Sequence, residues 1–361
     1  MEVGFICLGI QDGENDKIIS SLEEKKKINK IFSECRRAAK EDKCFFCGKN
    51  VSSFCNSHSL PSFCLKNISV NGEVYFANKM VGSPRMDEQG GVKKAGTFQL
   101  ICRNCDSKEF QDYENPDNYK DTVQPKMLAQ IAIKDCLRMI AKRKNENQIN
   151  RKNLQTSLLG KKFIVDQREY IDLDLTDYIK SYEKAKRLRN KNWYGEYYLF
   201  FYHKLNYVVP LAFQGLVSLI VDIDGNTVND IYNKSPDYHI QDLHICVFPL
   251  KNETVIMMFV DSMDKRYRPF YKSFMKLPID EKLSLINYIV FLYSEDVFLS
   301  KAIPQEILSN KKLKEVMQQS QVAVVQELDI DYMQHEVEKI FSLHQHRSIP
   351  NLLDERYKLT L

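Results

Sequence analysis

The sequence predicts an α+β protein in which a zinc-stabilised module precedes a larger mixed α+β domain, and three observations carry that expectation. Two CxxC pairs, Cys44-Phe45-Phe46-Cys47 and Cys102-Arg103-Asn104-Cys105, bracket a glycine-rich stretch of short, irregular pattern. Apolar residues at helical spacing follow Pro125 and recur before Leu188. Residues 208–223, 244–250 and 254–260 are rich in Val, Ile and Phe. Turns at Asp224-Gly225-Asn226 and Lys251-Asn252-Glu253 separate them, as in a small antiparallel sheet.

A chain of 361 residues is too long for one compact core. A boundary near residue 120 divides it into an N-terminal strand and helix arm (1–43), the module (44–118) and the larger domain (119–361). The net charge of +4 is too slight to argue nucleic-acid binding from the total, so local patches have to carry it. No basic n-region or cleavage-like segment marks the start. The longest apolar run, 207–221, is interrupted by Pro210, Gln214 and Gly215 and falls short of the roughly 20 residues of a membrane helix. The expectation is a cytoplasmic protein with reduced thiols and no membrane association.

Taken in order, 3–10 reads as a strand closed by Asp12-Gly13, and 18–43 as an amphipathic helix with a solvated charged face. Residues 59–67 suit a short helix, 72–77 a strand and 82–96 a flexible loop. Residues 97–101 read as a strand entering the second CxxC, and 106–113 as a helix that Asn115-Pro116 ends. Pro125 suits the first turn of a helix reaching about 144, whose end is basic through Arg138, Lys142, Arg143 and Lys144. A helix over about 175–188 leads through Lys184, Lys186, Arg187, Arg189 and Lys191 to Trp193, Tyr194, Tyr197 and Tyr198. After the sheet segments the pattern is helical through Phe298 and again over about 310–344. His335, His344 and His346 have no cysteine nearby and read as surface residues.

One CxxC turn lets two thiolates reach the same ion at about 2.3 Å, and Gly48 permits the turn. Two such pairs assign structural zinc to Cys44, Cys47, Cys102 and Cys105. Sulfur fills all four positions, so this ion scaffolds and does not catalyse. The other six cysteines are scattered singly and read as buried apolar residues.

Between the pairs lies Ser57-His58-Ser59-Leu60-Pro61. Thr97-Phe98-Gln99-Leu100-Ile101 runs into Cys102, and Asp106 directly follows Cys105. Over residues 44 to about 114 this layout resembles the zinc-stapled HNH (His-Me finger) endonucleases. The resemblance implies a ββα-metal, treble-clef-like module that hydrolyses nucleic-acid phosphodiester bonds, with DNA the expected substrate. It also implies a setting in bacterial restriction or phage defence. By the same resemblance His58 is the general base and Asp106 a ligand of a catalytic divalent ion, Mg²⁺ or another. Glu114 is a candidate second ligand two helical turns beyond Asp106, with Glu109 one turn on. Thr97 stands where the family has Asn and is assigned to holding the loop. Ser57 stands in place of the family's first acid, and Asp106 in place of its last histidine. Lys79, Arg85, Lys93 and Lys94 can approach a phosphate backbone, and the cations and rings of 184–198 suit a nucleic-acid groove.

Two readings of another kind stay open. One is a non-catalytic zinc protein that binds nucleic acid and derives from the nuclease fold. The other is a protein-interaction component whose partner is another chain or a second copy of this one.

Overall fold

In the computed structural model of the chain, the described residues are 33–360 except 36, 79–87, 157–160, 234, 236, 295 and 319–329. The strand expected at 3–10, most of the helix expected at 18–43, and Lys79 and Arg85 lie outside them.

Around the cysteine pairs the elements are short: β1 (Ser57–His58), α1 (Ser62–Ile68), β2 (Glu73–Asn78), β3 (Glu88–Gly91), β4 (Thr97–Phe98) and α2 (Arg103–Glu109). The strand expected over 97–101 stops at Phe98 because the next carbonyls are taken elsewhere. Leu100 O accepts from Phe45 N–H and Ile101 O from Cys55 N–H, both at 3.0 Å. The loop expected at 82–96 contains β3, which pairs with β2. Helix α2 ends at Glu109, so residues 110–113 lie beyond it.

The rest of the chain forms α3 (Pro125–Thr156), α4 (Lys161–Leu188), β5 (Tyr197–Leu205), β6 (Leu211–Val217), β7 (Leu243–Pro249) and β8 (Thr254–Asp261). After these come α5 (Arg268–Lys276), α6 (Ile279–Tyr293), β9 (Asp296–Ser300), α7 (Gln305–Leu308), α8 (Lys311–Gln318) and α9 (Ile330–Ile340). Seven strands make one antiparallel sheet in the order β3-β2-β9-β6-β7-β8-β5, larger than the small sheet expected; β1 and β4 pair separately. The helix expected to run through Phe298 ends at Tyr293. Ser294 Oγ accepts from Asp296 N–H at 3.0 Å and turns the chain into β9, which pairs with both β2 and β6. An apolar run buried on both sides looks the same in sequence as helix or strand.

Strand β2 lies before residue 118 and β9 far after it, yet Val74 to Asn78 pairs with Ser300 to Asp296. Strands from both sides of residue 118 therefore share one sheet, and the core is continuous across it. Alternation along the central strands divides that core by face. Leu243, Ile245 and Val247 of β7 with Ile256, Met258 and Val260 of β8 pack with Phe270 and Phe274 of α5 and Leu285 and Ile289 of α6. Cys246 and Phe248 with Val255, Met257 and Phe259 pack with Leu128, Ile131 and Leu137 of α3 and with Leu60, Leu65 and Phe110 of the cysteine-rich part. Gly96, at φ +64°, presses so closely on β9 that a Cβ there would come 2.4 Å from the Phe298 ring. Among the described residues no helix is long and apolar enough to cross a membrane.

Phe248 is fully buried, and its ring meets those of Phe63 and Tyr119 edge-on at 6.3 and 5.7 Å. If the cysteine-rich part and the sheet share one core, Phe248→Ala lowers stability by about 3–5 kcal/mol in urea unfolding. A loss below about 1 kcal/mol would contradict the shared core.

Candidate functional site

The first knuckle is a tight turn: Cys44 N–H donates to Lys49 O at 2.9 Å and Gly48 N–H to Cys44 O at 2.8 Å, with Gly48 at φ +69°. The second lies at the start of α2, where Cys102 N–H points at Cys44 Sγ at 3.2 Å. All four sulfurs lie within 4.8 Å of one another, and those of Cys44 and Cys105 are 3.9 Å apart. A tetrahedron with zinc–sulfur bonds of about 2.3 Å has edges of about 3.8 Å, so the set fits a zinc ion. Burial pushes the Cys44 and Cys105 thiols up, while the Lys49 N–H brings Cys47 down to about 7. A divalent cation makes four thiolates so close together tolerable.

Asp106, one residue past the knuckle, faces β1. Ser57 Oγ donates to its Oδ1 at 2.5 Å, and Cys55 Sγ points to Oδ2 at 3.4 Å. A third donor comes from α3: Lys134 Nζ is 2.8 Å from Asp106 Oδ1, 2.9 Å from Ser57 Oγ and 3.2 Å from Glu114 Oε1. Its ammonium also lies 3.9 Å from the centroid of the Phe110 ring. Lys134 is fully buried, whereas the side chains of Asp106 and Glu114 retain 22% and 35% exposure. Burial works to raise the Asp106 pKa, but the Lys134 charge and the hydrogen bonds from Lys134, Ser57 and Cys55 outweigh it and hold the carboxyl below its usual range. Glu114 thus reaches Asp106 through a turn and a shared lysine, not along one helical face. Glu109 turns away to Arg189 at 2.5 Å.

The stripe Lys126, Gln130 and Lys134, four residues apart on α3, faces this turn throughout. Lys126 Nζ and Gln130 Nε2 both donate to Asp112, at 2.5 and 2.7 Å, and Tyr113 N–H donates to Gln130 Oε1 at 3.2 Å. The next residue, Asp135, points to the sheet. It accepts from Gln214 Nε2 at 2.9 Å and contacts His244 Nδ1 at 2.7 Å, and burial raises its pKa. Neither Lys134 nor Asp135 was singled out by sequence reasoning. The available signal was an adjacent pair of opposite charges inside the mostly apolar run 127–140, which also holds Gln130 and Arg138. A helix that is apolar all round is buried, and charges in it need partners.

His58 pairs with Thr97 across the two-stranded sheet, and because Ser57 faces Asp106 its side chain leaves the strand on the other face. Its Nε2 lies 2.8 Å from Val92 O. Thr97 Oγ1 donates to Lys94 O at 3.0 Å, within the turn that carries Val92. Lys93 and Lys94 are exposed on that turn.

A divalent ion at Asp106 meets a different environment from that of zinc among the cysteines. Asp106 Oδ1 already receives two donors, and an ion bound there would lie about 4 Å from the Lys134 ammonium. At an effective dielectric of about 20, the repulsion between a double charge and that ammonium is about 8 kcal/mol, set against the attraction of the carboxylates whose donors the ion would have to displace. The Ser57–Asp106–Glu114 cluster as arranged does not fit Mg²⁺. No family model, curated protein or solved structure matches the chain.

Most cations of the run 184–198 are engaged internally. Lys184 bridges Asp261 and Glu196 at 2.6 and 3.3 Å, Arg189 holds Glu109, and Lys186 lies over Phe46 and Tyr182. Lys191 lies 3.9 Å over the exposed Trp193 ring, beside the still more exposed Tyr194. Tyr197 and Tyr198 open β5, which the basic and aromatic composition had masked. Near Asp261, burial and the charges of Asp261 and Asp242 push Asp264 up to about 7. The folded chain therefore keeps a proton that the unfolded chain releases near pH 4, and stability falls as pH rises from about 4 to about 7. Asp264→Asn retains the acceptor for Asp242 N–H and removes this loss. Its Tm is expected above that of wild type at pH 8 and equal to it near pH 4; equal Tm values at pH 8 would contradict the assignment.

Proposed function

We propose that residues 44–118 form a zinc-stapled ββα module of the HNH type and that the chain hydrolyses nucleic-acid phosphodiester bonds as an endonuclease, with DNA the expected substrate and His58 the general base. The observation that carries this reading is the His58–Val92 contact. A backbone carbonyl can only accept, so Nε2 bears the proton and Nδ1 keeps its lone pair. That is the tautomer a base needs, held in one orientation by the chain itself. Nδ1 takes a proton from water, the water oxygen attacks phosphorus, the bond to the leaving oxygen breaks, and that oxygen takes a proton from solvent.

The neighbouring residues support His58 indirectly. Asp106 holds Ser57 and so fixes β1 beneath the histidine. Thr97 ties the turn that presents Val92 O. Both are positioning residues in this reading. Zinc at Cys44, Cys47, Cys102 and Cys105 joins the β1–β4 pair to α2. Lys93, Lys94 and the Lys191–Trp193 pair are the exposed groups suited to phosphates and bases.

A second reading, nucleic-acid binding without cleavage by a protein derived from the nuclease fold, is favoured by the Lys134 ammonium between the two carboxylates. Plasmid nicking by the zinc-loaded chain separates the two. The endonuclease reading predicts that His58→Ala slows nicking by about 10²-fold or more while DNA binding persists. Nicking by His58→Ala at the wild-type rate would overturn the assignment of the base. DNA binding by a wild-type protein that never nicks would establish the second reading.

A further inference from the structure

We infer that Lys134 is the resident cation of the Ser57–Asp106–Glu114 cluster and that this chain holds the cluster together without Mg²⁺. The inference takes its site from the reading above, while its test measures ion binding alone, so the failure of one is distinguishable from the failure of the other.

An ammonium has three protons to donate, and Lys134 has three oxygen acceptors within 3.2 Å, one each from β1, α2 and the turn after α2. Its charge is balanced by two carboxylates, and its remaining side lies against the Phe110 ring. Those are the demands a hard divalent ion would make of the same residues: oxygen ligands, negative charge and shelter from bulk water.

The lysine is also not free to leave. It enters from within a long helix, with Lys126 and Gln130 fastened on the same stripe to Asp112 and with Asp135 fastened on the other side to His244 and Gln214. Withdrawing the ammonium would take α3 away from the sheet, or leave two carboxylates facing each other without a counter-charge. The zinc knuckle, one residue from Asp106 in sequence, uses a separate all-sulfur set and makes no demand on the cluster.

The zinc-loaded 361-residue chain is titrated with Mn²⁺, and the unbound ion is followed by electron paramagnetic resonance, with Asp106→Asn in parallel. Zinc is silent in this measurement. Wild type and Asp106→Asn are expected to take up Mn²⁺ alike, within about twofold in affinity. A Mn²⁺ site present in wild type and lost in Asp106→Asn would overturn the inference, whether or not the protein cleaves DNA. Lys134→Gln removes the charge and is expected to gain one site at least about tenfold tighter than any in wild type, a difference of about 1.4 kcal/mol. Adding Asp106→Asn to it abolishes that site. A folded Lys134→Gln that gains no site would also overturn the inference. Where Lys134→Gln does not fold, the comparison of wild type with Asp106→Asn decides alone.

Discussion

A buried ammonium ion without partners costs several kcal/mol, and Lys134 is fully buried. The structure meets that constraint by bringing three short pieces of the cysteine-rich part to the first third of α3: Ser57 from β1, Asp106 from α2 and Glu114 from the turn that follows. Asp135, next along the helix, is buried in the opposite direction, against His244 and Gln214 of the sheet. Helix α3 is thus fastened on two sides by adjacent polar residues. That double attachment explains why the cysteine-rich part and the larger part share a core, and why β2 could join the sheet at β9.

The four cysteines, which could hold a metal ion, and Lys134 divide the work of holding the cysteine-rich part. The elements around the knuckles are two to seven residues long and bury little by themselves. The four sulfurs tie the Cys44 turn to the start of α2, and Lys134 ties α2 and β1 to the helix behind them. With the four cysteines and Lys134 so placed, His58 lies on the other face of β1 from Ser57. Its orientation depends on Val92 O, and so on the turn that Thr97 and Gly96 shape. Chemistry in the proposed reading therefore falls to one imidazole supported by backbone, with the charged residues beneath it acting as scaffold.

Much of this was legible in the sequence, for identifiable reasons. CxxC spacing states its geometry directly, so the four cysteines were found without any tertiary information. Pro125 marked the start of α3, and the turn at 251–253 joined β7 to β8 because hairpin chemistry is local. By contrast, β6 ends at Val217, short of the strand expected over 208–223, and the 224–226 turn lies in the connection to β7. Strands β5 and β9 were not legible. The first is coloured by Tyr, His and Lys, and the second continues the apolar run of α6 past Ser294, where only a side-chain hydrogen bond breaks the helix. The pairing of β2 with β9 joins residues more than two hundred positions apart, and no local pattern encodes it. Lys134 was the most consequential omission. A lysine on a long amphipathic helix ordinarily faces water, and with Gln130 and Arg138 one turn to either side of it no local pattern marks this one as buried.

Anomalous diffraction from zinc-loaded crystals soaked in Mn²⁺ tests the central claim most directly, because it locates both ions by element. The account predicts a zinc peak equidistant from the sulfurs of Cys44, Cys47, Cys102 and Cys105, and Lys134 Nζ in place between Asp106 and Glu114 with no manganese peak beside them. A manganese peak bridging Asp106 and Glu114, with the lysine displaced, would contradict it.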